Sequence, residues 1–159
     1  MTKSDQLSLS PEDSADSRLL AAGIWARATA LRDALPLVAP AREKLAGIEG
    51  ALQNQGAQLI VARSASAPLG FAVLVPRDVT TEVLYLAVDP AGWGQGVAAA
   101  LLDHIREHAA PSSTDLELWV IADNARAVRT YERAGWIATQ DVKFRNDSGR
   151  PERRYRLSR

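Results

Sequence analysis

The chain has 159 residues, 47% of them hydrophobic, which is enough apolar material for one buried core of ordinary domain size. Its 19 Lys/Arg balance 19 Asp/Glu, so no general attraction to nucleic acid or to an anionic membrane is expected. The absence of cysteine excludes a disulfide framework, a thiolate metal site and a thiol nucleophile.

One domain over residues 1–159 is expected, with residues 1–13 as a flexible start. No apolar run is long enough to span a bilayer, and Met1 to Asp16 lacks the basic and apolar regions of a signal peptide, so the cytoplasm is the expected location. Gln6 to Ser10 reads as a short strand and Pro11 to Ser17 as a turn ending in a helix cap. Asp16 to Leu35 has helical spacing, with Leu19, Leu20, Ile24, Ala28 and Leu31 on one face, and Pro36 and Pro40 punctuate it. A second helix, Ala41 to Gln55, presents Leu45, Ile48 and Leu52 and closes at Gly56. Gln58 to Arg63 and Leu69 to Val75 read as a hairpin around Ser64-Ala65-Ser66-Ala67-Pro68, followed by a strand from Thr81 to Val88. A helix from Gly94 to Ala109 follows, then a strand from Leu116 to Ile121. Asn124 caps a helix through Ala134, which Gly135 stops. Strands from Trp136 to Lys143 and from Glu152 to Leu157 close the chain around a turn at Asn146-Asp147-Ser148-Gly149. The sum is one α/β domain with a mixed sheet.

The most informative stretch is Val88-Asp89-Pro90-Ala91-Gly92-Trp93-Gly94-Gln95-Gly96-Val97-Ala98, where a strand runs into a glycine-punctuated turn that opens a helix. The first turn of a helix holds N–H groups without intrahelical partners and the positive end of the macrodipole, so an anion can dock there. Gly94 and Gly96 let that backbone approach phosphate oxygens closely. Such a turn alone suits a dinucleotide fingerprint, a phosphate loop or a tight connection; no Lys-Ser/Thr follows the glycines, and no first glycine is spaced for G-x-G-x-x-G.

Trp93-Gly94-Gln95-Gly96-Val97-Ala98 after Val88-Asp89-Pro90 resembles the Q/R-x-x-G-x-G/A motif of the GNAT (Gcn5-related N-acetyltransferase) superfamily, with Gly96 and Ala98 on its last two positions and Trp93 where Arg or Gln is usual. Asn124, Ala127, Tyr131, Glu132, Gly135 and Trp136 resemble the second hallmark, N-x-x-A-x-x-x-Y-E-x-x-G-W/F after a strand. The resemblance is close over residues 56–140 and otherwise one of layout. It implies the GNAT fold: a central, mostly antiparallel sheet with a parallel, splayed pairing of the fourth and fifth strands and helices on both faces. It implies acetyl-coenzyme A (acetyl-CoA) as co-substrate, its pyrophosphate held by Trp93, Gly94, Gln95, Gly96, Val97 and Ala98, and its pantetheine arm met by Leu86, Ala87 and Val88, with Asn124 and Tyr131 on the other side. The Val88 amide would also polarise the thioester carbonyl.

Acetyl transfer from a thioester to an amine needs a base, because an alkylamine of pKa ~10.4 is neutral only about once in a thousand molecules at pH 7. It also needs donors for the carbonyl oxygen and a proton for the leaving thiolate. The resemblance assigns Glu82, in Thr81-Glu82-Val83-Leu84-Tyr85, as base directly or through water, and Tyr131 as acid. Two readings follow: an N-acetyltransferase acting on a primary amine of a small molecule, peptide or protein, which the presence of both Glu82 and Tyr131 favours, and an acyl-CoA-binding sensor or interaction module without transfer, which the Trp93 departure leaves open. No metal is expected; His104 and His108 stand at i and i+4 without a third ligand. No nucleic-acid or membrane partner is expected, and the resemblance allows a homodimer joined at the C-terminal strands. It builds the acceptor pocket from the first two helices and the last hairpin. Trp25, Trp119 and Trp136 read as core or rim packing. From Arg126 onward there are ten Lys/Arg against four Asp/Glu, and Arg150, Arg153, Arg154 and Arg156 suit a solvated edge or contact with an anion such as the coenzyme's 3′-phosphate.

Overall fold

The structure, a computed structural model, describes residues 6–144 and 149–159. Residues 146–148 of the expected last turn lie outside the described residues. In chain order the elements are β1 (Ser8–Pro11), α1 (Ala15–Arg32), α2 (Ala41–Leu52), β2 (Gln58–Arg63), β3 (Pro68–Pro76), β4 (Thr80–Val88), a single 3-10 turn (Pro90–Gly92), α3 (Val97–His108), β5 (Asp115–Ile121), α4 (Ala125–Arg133), β6 (Ile137–Phe144) and β7 (Pro151–Ser158). The strands form one seven-stranded sheet in the order β1-β2-β3-β4-β5-β7-β6. Every pairing is antiparallel except β4 with β5. That parallel pair requires a crossover, and α3 supplies it.

Alternation along the strands sends apolar side chains to both faces, so the sheet is covered twice. On one face Phe71, Val73 and Val75 of β3 with Leu59 and Val61 of β2 meet Ala21, Ile24 and Ile48 of α1 and α2. On the other, Ala72, Leu74, Leu116 and Leu118 meet Leu101 and Ile105 of α3, with Tyr131 and Trp136 from the α4 region. Each fully buried Leu, Ile or Phe stabilises the fold by about 1.5–3 kcal/mol. Trp136 is 2% exposed, and its Nε1 has no hydrogen-bond partner among the described residues.

The expected apolar face of α1 is corrected by the structure. Leu19 and Leu31 are 46% and 54% exposed, whereas Ser17, Ala21, Ala22, Ile24, Ala26 and Ala30 are buried. The small side chains let α1 lie close against the sheet and α2, which bulkier leucines would prevent. In α2 the expected Ile48 is buried, with Ala51 beside it. The arginine-rich edge is largely neutralised within the fold: Arg150 pairs with Asp33 and Asp123, Arg154 with Glu117 and Asp141, and Arg156 with Asp115. Arg153 donates to the Thr139 carbonyl at 2.8 Å.

Candidate active site

The site begins where the sheet comes apart. Parallel pairing of β4 with β5 runs from Thr80–Asp115 to Val83–Leu118 and goes no further. At the same point the β3–β4 register shifts: Val73 faces Tyr85 but Leu74 faces Val83, leaving Leu84 as an extra residue. A bulge of this kind sharpens the twist and bends its strand. It turns β4 from β5 and leaves residues 84–88 without a neighbour on that side.

On the other side β3 still holds them. Asp89 N–H donates to the Leu69 carbonyl at 2.8 Å. By antiparallel alternation the next pair, Gly70–Val88, is the open kind, as is Ala72–Leu86. The N–H and C=O groups of Leu86 and Val88 therefore point into the splay. One of these four is used, since Trp93 Nε1 donates to the Val88 carbonyl at 2.7 Å. Ala87 bonds across to β3 and lines the cavities on both sides of the splay.

Beyond Val88 the chain is braced into a turn. Asp89 Oδ1 accepts from the Ala91 N–H at 3.0 Å, and its Oδ2 accepts from Arg27 Nε and Nη2 at 2.8 and 2.6 Å. Those bonds pin α1 to the turn. Gly94 and Gly96 take φ of +79° and +78°, which side-chain-bearing residues rarely adopt, and a Cβ on either would meet nothing within 4 Å. Both glycines thus face open space. Gly96 caps α3 without a side chain, and the first helical bond runs from Ala100 N–H to Gly96 O. The N–H groups of Gly94, Gly96, Val97, Ala98 and Ala99 have no partner among the described residues. This fan of donors at a helix start fits a pyrophosphate. Gln95 instead braces the turn, its side chain donating to the Ala91 carbonyl at 2.8 Å.

The opposite wall is α4. Asn124 caps it, its side-chain oxygen accepting from Ala127 N–H at 3.3 Å, which leaves the side-chain NH2 for the groove. Tyr131, two turns on, is 8% exposed, and burial pushes its phenol up to about 12. A groove of about 800 Å³ runs between the turn and α4. A second cavity of about 520 Å³ lies across the splay. Asn124, Tyr131, Leu86 and Ala87 line both, so the two spaces meet at these residues.

Glu82 lines the second cavity and is 7% exposed. It sits before the splay, paired in register with Glu117, and its Oε1 accepts from Arg77 Nη2 and Nε at 2.7 and 3.1 Å. The cavity's walls include residues that sequence reasoning treated as packing or passed over. Trp25 stacks at a tilt on Tyr85 with ring centroids 4.4 Å apart, and Lys143 lies 4.2 Å from the Trp119 ring. Trp25 and Trp119 are thus cavity walls, whereas Trp136 is core. Lining comes from α1 and from β6 and β7; α2 stands behind, with Lys44 5.0 Å from the Trp25 ring. Of the first two helices, which the resemblance places around the acceptor, α1 lines this cavity and α2 does not. Arg126 on the groove wall was also missed, because nothing local in sequence marks its contact with Trp93. His104 and His108 stack at 4.1 Å, and burial followed by the His108 charge lowers the His104 pKa. Among the described residues no group of three or more His, Cys, Asp or Glu could hold a metal ion, and no helix is long and apolar enough to cross a membrane.

The family model described as the acetyltransferase (GNAT) family matches residues 25–136. A mycothiol acetyltransferase of Mycolicibacterium gilvum (strain PYR-GCK) is 40% identical over 70 residues, which are 40% of this chain and 23% of that protein. One from Beutenbergia cavernae is 38% identical over 63 residues, 39% of this chain and 21% of that protein. The match thus spans less than a quarter of these relatives' length. The ribosomal-protein-S18-alanine N-acetyltransferase of Escherichia coli has a TM-score of 0.73 at 20% identity, covering 96% of this chain and 94% of its own. Spermidine N-acetyltransferase of Vibrio cholerae, in complex with CoA and spermine, has a TM-score of 0.72 at 16% identity, covering 96% and 95%. At these identities the structural likeness is one of fold.

Proposed function

From the premise that the chain belongs to the acetyltransferase (GNAT) family, we propose that it moves an acetyl group from acetyl-CoA directly to a primary amine of a small molecule, peptide or protein. The observation that carries this reading is the bulge-driven splay of β4 and β5 opening beside the unpartnered amides at the start of α3.

Bound acetyl-CoA supplies an activated thioester. The amides of Gly94, Gly96, Val97, Ala98 and Ala99 take its phosphate charge from the α3 side. The free backbone groups of Leu86 and Val88 hold an extended amide-bearing arm as a neighbouring strand would, with Asn124 donating from the other wall. The Val88 N–H is placed to donate to a developing oxyanion, a role worth about 3 kcal/mol where such donors have been removed. Glu82 takes the amine's proton directly or through water, its Oε1 held by Arg77 and its Oε2 without a partner among the described residues. Tyr131 keeps its proton at neutral pH, since its phenol is pushed up to about 12, and gives it to the departing sulfur. Direct transfer requires neither a metal nor a covalent enzyme intermediate. The reading keeps the cytoplasm as the place of action, with no nucleic-acid or membrane partner and a homodimer through the C-terminal strands.

A second reading, coenzyme binding without transfer, draws on the Arg77 grip on Glu82 and on Trp93 where the motif carries Arg or Gln. Release of free CoA thiol from acetyl-CoA across a panel of amines, amino acids and short peptides separates the two. Thiol release with one amine class supports the transferase; saturable binding with no release across the panel supports the second reading.

A further inference from the structure

Position 93 carries a tryptophan where the motif calls for a cation or an amide, and the structure holds a cation at that place by other means. The Arg126 guanidinium carbon lies 4.0 Å from the centroid of the Trp93 ring. Trp93 is fixed for this by its own donor, because Nε1 is bound to the Val88 carbonyl at 2.7 Å. Indole has no other hydrogen-bonding group, so Trp93 itself has nothing to offer a phosphate. A stacked guanidinium is different: stacking uses its face and leaves its five N–H donors free in its own plane. Arg126 has no carboxylate and no side-chain hydrogen-bond partner among the described residues, as is true of Arg129 and Arg133 in the same groove, but of these three only Arg126 stacks on Trp93, whereas Arg27, Arg63, Arg77, Arg150, Arg154 and Arg156 are each paired. Trp93, Gly94, Gly96 and Arg126 line the same groove as Val97, Ala98 and Ala99 at the start of α3.

We infer that Arg126, seated on Trp93, grips the pyrophosphate of the coenzyme from the α4 side of the groove, as the counterpart of the amides on the α3 side. The phosphate is then held between two elements rather than by one loop, and Trp93 is the positioning residue that aims the cation. Trp93 also joins the phosphate end of the groove to the thioester end, since its ring bonds Val88 while its face carries Arg126.

This inference rests on the coenzyme reading above, and its test separates the two. Wild type, Arg126→Gln, Trp93→Leu and the double variant are titrated calorimetrically with CoA and with dephospho-CoA, which lacks the 3′-phosphate but keeps the pyrophosphate. Arg126 is exposed, so Arg126→Gln is expected to fold as wild type. The expected result is a loss of affinity of about tenfold or more in Arg126→Gln, equal for both titrants, as for loss of a charge-assisted phosphate contact. Trp93→Leu weakens binding as well, and the double variant is hardly weaker than the worse single one, because the two act as a unit. Unchanged affinity in Arg126→Gln overturns the inference while leaving the coenzyme reading intact. A loss seen with CoA but not with dephospho-CoA overturns it in favour of a 3′-phosphate contact, and strictly additive losses overturn the role of Trp93. Failure of the wild type to bind either titrant is the distinct result that removes the coenzyme reading itself.

Discussion

Gly70 is where the cradle is most sensitive to a single methyl group. It lies on β3 opposite Val88, beneath the first turn of α3. A Cβ built there would come within 2.9 Å of Val97 Cγ1, 3.1 Å of the Ala87 carbonyl oxygen and 3.1 Å of Leu101 Cδ1. The carbonyl is locked in the β3–β4 ladder and cannot yield, so the strain falls on Val97 and Leu101, which means on α3. Overpacking of this kind costs about 1–3 kcal/mol; at about 2 kcal/mol a domain of this size loses about 4–8 °C in Tm. Because Val97 is the first residue of α3, lifting it also disturbs the unpartnered amides at the start of that helix. Gly70→Ala should therefore weaken CoA binding as well as lower Tm. Gly50→Ala is the matched control: it lies on an exposed face of α2, and its added Cβ meets nothing within 4 Å. That substitution should leave binding alone and hold or raise Tm by the helix-propensity gain of about 0.5–1 kcal/mol. Thermal melts and CoA titrations of the two variants side by side make the test. A Gly70→Ala protein with wild-type Tm and wild-type affinity would refute the close packing of α3 on β3.

Tyr131→Phe should lower turnover at least about tenfold with CoA affinity nearly intact, as for loss of a general acid; unchanged turnover would remove Tyr131 from the mechanism. With the phenol pushed up to about 12 by burial, the rate profile of the wild type should show no falling limb from Tyr131 between neutral pH and about pH 11. Asp33 is held down to about 2, first by its hydrogen bond from Arg32 and also by Arg150. A lowered carboxyl pKa stabilises the fold above the unfolded value of about 3.9, and that contribution is lost as pH falls from about 4 to about 2. Tm measured against pH should therefore drop through this window in wild type and less steeply in Asp33→Asn.

Much of this was legible in the sequence because the signals were local. The two glycines of the turn, the Asn124 cap and the span of β2 each depend on residues within a few positions of one another. The apolar face of α1 was misread because periodicity weighs large side chains, whereas the helix is packed through Ala21, Ala22, Ala26 and Ala30. The splay was expected only through the family resemblance; its physical cause, one extra residue at Leu84, depends on the β3 register and leaves no mark on β4 itself. Contacts that set the site's electrostatics join distant parts of the chain. Arg27 reaches Asp89 across 62 positions, and Arg126 meets Trp93 only because α3 and β5 bring α4 back beside the turn. Exposed Ile137 and Phe144 on β6 show the converse, since apolar composition there did not imply burial.

The most direct measurement is a calorimetric titration of the wild-type chain with acetyl-CoA, repeated on Gly96→Val, in which a branched side chain is forced onto a φ of +78° and into the open cradle. Saturable binding at one site per chain, abolished or weakened at least about a hundredfold in the variant, is the predicted result. No saturable binding by the wild type, or equal binding by both proteins, would contradict the assignment of this turn as the coenzyme's cradle.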